Sequence, residues 1–327
     1  FNQIIFQSNR ELGTSIYSVE LDFSNPLFPR INTVSDLSGE SFNPSFEPWG
    51  SKVVFYGLLN GNYEIFSVGA GGNSTPDNLT NHPGNDYNPQ YFADGSKIMF
   101  ESRRTGNHEI FSMNNDGSNV TQLTYNNGVD NDFQIATNTT GIDKIIYVST
   151  IEGNKEIYLM NENGTNFQNL TNHPENQYDP DISLDGEQIV YIGDEVGQVD
   201  LYWENLSTGD SLKLTNNNYT ERNPQFVLNG FYPNGEIGNY LVYESDKDGS
   251  WSIYFQKLPN YNDDIENFFE NNLPINFLDD NSSDQSNSNF ANILLDNVEG
   301  VYMVFESTED GTSSIFIIDQ FGNHPSA

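Results

Sequence analysis

Short runs of alternating apolar and polar residues recur along the chain, and each is bounded by Gly, Asn or Asp. In residues 97–124, KIMFES and EIFSM are two such runs, and VTQLT is a shorter third one. Alternation with a period of two places Ile98 and Phe100 on one face and predicts β-strands. The Asn-Asp-Gly segment between the second and third runs predicts a tight antiparallel hairpin. The pattern therefore indicates small antiparallel sheets.

The same pattern occurs seven times, in residues 4–21, 52–80, 97–124, 144–171, 188–215, 240–258 and 302–319. Each copy carries a glycine in its first turn, and these are Gly13, Gly61, Gly106, Gly153, Gly197, Gly249 and Gly311. Consecutive glycines lie 44 to 62 residues apart. Several strands repeated at about 45 residues are typical of a β-propeller. We therefore predict one all-β domain over residues 1–327, with seven blades of up to four antiparallel strands.

An additional strand is predicted before each hairpin. The segments 43–50, 88–95, 179–186 and 223–230 align and begin with Asn-Pro or Asp-Pro, whereas 131–141 lacks the proline. Proline biases the preceding residue away from the helical region, so we expect these segments to begin in an extended conformation. Each unit then has an inner, a second, a third and an outer strand. The first copy has no visible inner strand and the last no visible outer strand, so ring closure could join the two termini in one blade or leave short blades.

An insertion at about 258–289, rich in Asn, Asp and Ser, interrupts the sixth repeat. Two interpretations stay open for it. It is either an irregular outer strand followed by a long solvated loop, or a lid or partner-binding loop on one face.

Charge excludes some partners. The formal net charge is −35, from 47 acidic and 12 basic residues, so nucleic acid and anionic lipid surfaces would be repelled. The chain has no cysteine, and no apolar run is long enough to insert into a membrane. The first residue is Phe1, which indicates a processed or trimmed chain.

With the repeats in place, the phrase LT…NP…F…DG…I.F.S.R.G..EIF.MN.DG…LT resembles the TolB-type β-propeller repeat family. Residues 76–124 and 167–215 carry it best, and the first, sixth and seventh copies are degenerate. The resemblance implies a central channel, a binding face made by inter-strand loops, and export to the periplasm, the cell surface or the medium. It implies a protein- or glycan-interaction platform, although some relatives are polysaccharide lyases. The sequence shows no counterpart of the N-terminal α/β domain of the family's periplasmic namesake.

Catalytic and metal-binding motifs are weak. His82 and His173 occupy the same position in two NHP segments, which favours a structural loop over a compact ligand set. The chain contains neither a G-x-S-x-G elbow nor a cysteine nucleophile. Residues 181–187 resemble the start of a calcium loop, but the bidentate glutamate of such a loop is missing at the required distance. We therefore name no catalytic residue, no metal ligand and no cofactor, and allow only adventitious surface calcium.

The candidate binding site lies where the inner strands begin. Loops before the inner strands and the turns between second and third strands should share one face of a propeller, around the channel mouth. The ligand- or partner-binding residues predicted there are Phe42, Asp86, Tyr87, Tyr178, Glu221 and Arg222. Aromatic rings beside hydrogen-bonding groups suit a sugar or peptide surface, although the same rings could pack between blades. The Arg222 guanidinium could be held by neighbouring acids or by an anionic ligand.

These observations favour a non-enzymatic, exported binding module that docks a partner protein or a glycan. Two alternatives stay open: a propeller-type polysaccharide lyase or glycoside hydrolase, and a structural subunit of a cell-surface or extracellular assembly.

Overall fold

The structure of the chain is a computed structural model. It describes residues 3–11, 13–20, 30–35, 37, 39–72, 74–136, 143–195, 197–231, 237–247, 249, 251–258, 274–276, 302–307 and 314–319. Within these residues the secondary structure is entirely β, and no helix there could span a membrane. The predicted all-β class is confirmed.

The described strands form seven antiparallel sheets, numbered in chain order. Sheet 1 contains β1 (Gln3–Glu11), β2 (Gly13–Glu20) and β3 (Arg30–Thr33). Sheet 2 contains β4 (Ser41–Phe46), β5 (Lys52–Leu59), β6 (Asn62–Gly69) and β7 (Asp77–Asn78). Sheet 3 contains β8 (Asp86–Tyr91), β9 (Lys97–Ser102), β10 (Glu109–Asn114) and β11 (Thr121–Gln122). Sheet 4 contains β12 (Asp130–Ala136), β13 (Lys144–Ser149), β14 (Glu156–Asn161) and β15 (Gln168–Asn169).

The later sheets follow the same plan. Sheet 5 contains β16 (Asn176–Ile182), β17 (Gln188–Glu195), β18 (Gln198–Asn205) and β19 (Ser211–Lys213). Sheet 6 contains β20 (Glu221–Phe231), β21 (Ile237–Ser245), β22 (Ser252–Lys257) and β23 (Ile275–Asn276). Sheet 7 contains β24 (Tyr302–Ser307) and β25 (Ser314–Asp319).

Sheets 2 to 6 each have the predicted order of inner, second, third and outer strand. Sheet 1 has no inner strand among its described residues, as the sequence of the first repeat copy predicts. The count of seven blades and the way the ring closes stay predictions. Most of the 258–289 insertion lies outside the described residues, but Ile275–Asn276 pairs with β22 as an outer strand.

The hydrophobic core consists of clusters between successive sheets. Ile98 and Phe100 pack toward sheet 2, as their shared face predicts. The intervening Met99 is fully buried on the other face, against sheet 4. The prediction that KIMFES has one polar face is therefore wrong for its central residues, because each sheet is covered by neighbours on both sides.

The segments 43–50, 88–95, 179–186 and 223–230 do not begin in the extended conformation predicted before proline. The residue at this position has a positive φ in sheets 2 to 6, at Asn43 (46°), Asn88 (49°), Asp132 (55°), Asp179 (50°) and Asn223 (50°). The strand pairing shifts register at the same place, which marks a β-bulge. Asn and Asp tolerate this left-handed conformation better than other side chains do. Because sheet 4 has the bulge without a proline, the Asn or Asp, and not the proline, is common to all five.

A carboxylate in the third strand holds the outer strand. In sheet 3, Glu109 accepts hydrogen bonds from Thr124 Oγ1 (2.6 Å), Asn107 Nδ2 (2.8 Å) and the Asn126 amide (3.2 Å). Thr124 Oγ1 in turn accepts a hydrogen bond from the buried Ile110 amide at 2.9 Å. Equivalent bonds form in sheets 2 and 4, and we call this arrangement the carboxylate bracket. It explains the Leu-Thr at the ends of the second, third and fourth copies.

The repeated glycines lie in equivalent turns wherever the structure describes them. Gly106, between β9 and β10, has a φ of 112°, which only glycine adopts readily. A Cβ atom there would meet no neighbour within 4 Å, so backbone conformation and not space requires the glycine. Gly311 lies outside the described residues.

Candidate functional site

The predicted site residues lie at one end of their sheets. The strand register places Asp86 opposite Ser102, and Ser102 opposite Glu109, so the start of an inner strand lies beside the second–third turn. We call this end of the sheets the channel-mouth face. Phe42, Tyr87 and their counterparts are part of the inner strands and not of the loops before them, which corrects the predicted position by one or two residues.

Two of the six predicted residues are buried. Asp86 is fully buried and accepts hydrogen bonds from Ser102 Oγ (2.5 Å) and from Arg104 Nη2 (3.0 Å). Burial raises the pKa of Asp86, although Ser102 and Arg104 oppose the shift. Glu221 is also buried, and burial raises its pKa. These carboxylates fix the starts of their strands and do not face an incoming ligand.

Phe42 and Tyr87 belong to one aromatic cluster that joins sheets 2 and 3. Phe42 stacks on Tyr56 with ring centroids 5.3 Å apart, and Tyr56 meets Tyr87 edge to face at 5.5 Å. Tyr63 lies 5.6 Å from Tyr56 and 5.4 Å from Tyr87. His108 stacks on Tyr87 at 5.5 Å. All five rings are only half-buried, so they neither pack fully between sheets nor stand free.

Tyr56, Tyr63 and His108 were not among the residues predicted for the site. Tyr56 and Tyr63 lie on the two strands of the β5–β6 hairpin, near its turn, and strand periodicity alone does not decide whether such residues are core or surface. Their position beside the sheet 2 to sheet 3 boundary is what brings them to Tyr87. Burial raises the pKa of Tyr56 to about 12, with smaller contributions from Tyr63 and Glu101.

The other two predicted residues lie apart from this cluster. Tyr178, in sheet 5, is half-buried beneath Lys155, whose Nζ is 5.4 Å from the ring centroid. Arg222, in sheet 6, donates from Nε to Glu244 at 2.8 Å, and its guanidinium lies 3.8 Å from the Trp251 ring centroid. The Glu244 side chain is fully buried. Of the two explanations for Arg222, the structure shows the one in which an acid of its own sheet holds it.

A line of hydrogen bonds joins the bulge residues of successive sheets, and we call it the bulge belt. The Asn43 amide donates to Gln7 Oε1 at 3.1 Å, and Asn43 Nδ2 donates to Asn88 Oδ1 at 2.7 Å. Glu101 Oε1 then accepts from Asn88 Nδ2 at 2.8 Å and from the Asp132 amide at 2.9 Å. The belt thus connects sheets 1 to 4.

Neighbouring acidic groups extend this line toward sheets 5 and 6. The Asp179 backbone N–H lowers the pKa of Asp132, and the Asn223 backbone N–H lowers the pKa of Asp179. Asn223 Nδ2 donates to Glu244 at 2.9 Å. Burial, followed by the nearby Asp179 and Glu101 carboxylates, raises the pKa of Asp132 to about 7. The belt therefore concentrates acidic groups where inner strands of neighbouring sheets meet.

The histidines serve different contacts. His82 follows sheet 2, and its Nδ1 accepts a hydrogen bond from the Gly84 amide at 2.9 Å. His173 follows sheet 4, and its Nε2 lies 3.6 Å from Glu195. Sheet 3 lies between the two along the chain. Among the described residues, no three His, Cys, Asp or Glu side chains are grouped to hold a metal ion.

Comparison with known proteins identifies the repeat. Residues 27–149 match the family described as TolB beta propeller domain, which confirms the resemblance in that part of the chain. A search of curated proteins found no match to the sequence.

Solved structures share the fold at low identity. TolB from Acinetobacter baumannii is 18% identical, with a TM-score of 0.54 over 78% of this chain and 61% of that one. A putative TolB from Agrobacterium tumefaciens is 16% identical, with a TM-score of 0.52 over 70% of this chain and 81% of that one. Oligogalacturonate lyase from Vibrio parahaemolyticus is 16% identical, with a TM-score of 0.57 over 80% of this chain and 78% of that one. This chain thus spans about three fifths of the Acinetobacter TolB, and the likenesses establish a propeller fold.

Proposed function

We propose that the chain is an exported, non-enzymatic binding module that docks a partner protein or a glycan on its channel-mouth face. The observation that carries the proposal is the aromatic cluster of Phe42, Tyr56, Tyr63, Tyr87 and His108, which is half-exposed at the boundary of sheets 2 and 3. Half-exposed aromatic rings supply flat apolar area for stacking together with polar edges. Such a surface suits a sugar ring or a peptide side chain.

The polar groups of the cluster favour directional recognition. Tyr87 Oη accepts a hydrogen bond from Asn85 Nδ2 at 2.7 Å, which fixes the ring. The hydroxyls of Tyr56 and Tyr63 have no such bond within the described part of the chain, so their donors are left for a ligand. A few fixed polar groups around apolar rings are what small-ligand sites commonly use to orient a ligand.

Tyr178 and Arg222 extend the proposed face toward sheets 5 and 6. Lys155 over Tyr178 and Arg222 over Trp251 each combine a cation with an aromatic ring. With a net charge of −35, these few cations are the places where a partner's carboxylate would be tolerated. Asp86 and Glu221 contribute to the face by holding the strand ends and not by contact.

Two other functions are separable by experiment. A polysaccharide lyase or glycoside hydrolase would release unsaturated products or new reducing ends from a panel of polysaccharides, with or without a divalent metal. Turnover that is lost in His82→Ala or His173→Ala would overturn the proposal. A structural subunit of a surface assembly would instead bind its neighbouring subunits through other surfaces. Substitutions in the aromatic cluster would then leave that binding unchanged.

The binding test compares variants of the cluster with a matched control. Tyr87→Ala and Phe42→Ala should weaken binding of a partner found among secreted proteins or polysaccharides by about tenfold or more, which is the size of a stacking contact of about 1–1.5 kcal/mol. Tyr125→Ala removes an exposed tyrosine outside the cluster and should leave binding unchanged. Binding that depends only on residues 258–289 would place the site on the insertion and contradict the proposal.

A further inference from the structure

A polar cleft of about 250 Å³ lies at the edge of sheet 2, between the β5–β6 turn and the NHP loop that follows β7. Asn60, Asn62, Asn78, Asn81 and His82 supply most of its polar lining. Leu59 and Pro83 add apolar surface. The cleft thus combines several amide groups and an imidazole with a small apolar wall.

The cleft walls are held by the carboxylate bracket of sheet 2. Glu64 is buried and accepts hydrogen bonds from Asn62 Nδ2 (2.6 Å), from Thr80 Oγ1 and from the His82 amide (3.0 Å). Asn62 Nδ2 also donates to the His82 carbonyl at 2.7 Å. The hairpin turn and the NHP loop are therefore tied together, and the cleft is formed before any ligand arrives.

Several polar groups face the cleft without a protein hydrogen bond within the described residues. They include the Asn60 and Asn81 side chains, Asn78 Nδ2 and His82 Nε2. Because His82 Nδ1 accepts from the Gly84 amide, the neutral ring carries its proton on Nε2 and presents a donor. Asn78 Oδ1 accepts the Thr80 and Asn81 amides at 3.1 and 3.2 Å, which leaves Nδ2 as the outward donor.

We propose that this cleft binds one neutral sugar unit of a glycan; the inference rests on the proposed function and makes the cleft a subsite of it. Its 250 Å³ lies below the roughly 300–1,000 Å³ of pockets for drug-sized ligands, so a single ring fits better than a larger group. Amide groups both donate and accept hydrogen bonds, as hydroxyl groups require. Glu64 and the net charge of −35 disfavour an anionic sugar.

The cleft is connected to the aromatic cluster. Asn85, at the end of the same loop, accepts a hydrogen bond from the Tyr63 amide at 3.1 Å and donates to Tyr87 Oη at 2.7 Å. Asn62 of the cleft and Tyr63 of the cluster are adjacent in β6. An oligosaccharide with one unit in the cleft would therefore extend toward the stacking surface.

The fourth repeat offers a matched control because the equivalent histidine there lies beside a carboxylate of the next sheet. His173 Nε2 lies 3.6 Å from Glu195, whereas His82 lines the cleft. Asn169 Nδ2 is buried, whereas Asn78 lines the cleft. Asn81 and Asn172 are both exposed, with φ of 40° and 39°. Replacement of either by glycine removes the side chain without backbone strain.

The test titrates isotope-labelled protein with cellotriose and tri-N-acetylchitotriose, which are neutral, and with trigalacturonate, which is anionic. We expect at least one neutral trisaccharide to shift the side-chain amide resonances of Asn60, Asn78 and Asn81 and the His82 ring, with a dissociation constant on the order of 1 mM. Asn81→Gly should raise that constant at least fivefold, and Asn172→Gly should leave it unchanged. Trigalacturonate should shift none of these resonances.

Four results would overturn the cleft proposal: no shift in the cleft at millimolar saccharide, shifts confined to the aromatic cluster, equal binding of trigalacturonate, or equal effects of the two glycine variants. Shifts confined to the cluster would still support the proposed docking face. Cleft binding that is indifferent to Tyr87→Ala would support the cleft and contradict the cluster as the docking face. The two proposals therefore fail separately.

Discussion

Asn43 Nδ2 donates a hydrogen bond of 2.7 Å to Asn88 Oδ1, and the two residues hold the same position in successive repeats. Each lies at the bulge of an inner strand with a positive φ. The bulge turns the side chain along the boundary between sheets, so one repeated asparagine links its sheet to the next. Because the asparagine recurs at the same position of each repeat, neighbouring repeats contact each other through it.

The Asn88 link should contribute measurably to stability. Asn88→Ala removes the bonds to Asn43 and Glu101 and puts an alanine at a φ of 49°, where it is strained because alanine tolerates the left-handed conformation less readily than asparagine does. Asn88→Gly removes the bonds without that strain. We expect both variants to lower the free energy of unfolding in urea, with alanine about 1 kcal/mol worse.

Asn119→Gly is the control for this comparison, because Asn119 has a φ of 56° in an exposed turn. Its free energy of unfolding should change by no more than about 0.5 kcal/mol. An Asn88→Gly variant as stable as Asn119→Gly would show that the belt bond contributes nothing.

Arg222→Ala should destabilise the protein. The guanidinium is 2.7 Å from a fully buried Glu244 carboxylate. Removing one partner of a buried pair costs about 3–5 kcal/mol, and partial solvent access at Arg222 reduces the expected loss to about 1–3 kcal/mol. Thermal unfolding measures the loss of stability in Arg222→Ala. The control is Arg103→Ala, which removes an exposed arginine of the same face.

Stability should fall as the pH rises toward 7. The pKa of Asp132 is raised to about 7 in the folded chain, above its ordinary value of 3.8, so between these values the folded state holds a proton that the unfolded state releases. The folded state therefore loses stability as pH rises through this window. The pKa of Asp181 is also raised to about 7, by burial, and acts in the same direction.

Asp132→Asn isolates the first of these groups. Its amide oxygen can still accept the Asp179 backbone bond but carries no charge. We expect Asp132→Asn to be more stable than wild type at pH 8 by on the order of 1 kcal/mol, since one pKa unit corresponds to about 1.4 kcal/mol and Asp132 is partly solvated. The gain should shrink as the pH falls and vanish near pH 4, where the unfolded chain also holds the proton. A pH-independent gain would assign the effect to packing instead of charge.

The carboxylate bracket gives a prediction for the repeat motif itself. Thr124→Val keeps the shape of the side chain but removes the donor to Glu109 and the acceptor for the Ile110 amide. Leaving these buried groups unsatisfied should cost about 1–3 kcal/mol in urea unfolding. Thr121→Val, at an exposed position of the same outer strand, should change stability by less than about 0.5 kcal/mol.

Local pattern was sufficient for the strands and turns. Period-two runs, Asp-Gly hairpins and glycines such as Gly106 determine conformation within a few residues, so the four-strand unit could be predicted from the sequence alone. The prediction that Asn88 is extended because it precedes a proline was wrong. The bulge at Asn88 depends on pairing with β9, and this pairing overrides the intrinsic preference of a residue before proline.

The candidate site was predicted in location but not in composition. The sequence by itself determined that Asp86 and Tyr87 lie close to the start of an inner strand. Only the tertiary structure decided that Asp86 is buried against Arg104, whereas Tyr87 joins Tyr56 from the neighbouring sheet. Adjacent side chains of a strand point to opposite faces, and what covers each face is set by sheets about 45 residues away in sequence. Burial is therefore a property of the packed sheets, whereas strand and turn formation is a property of the local chain.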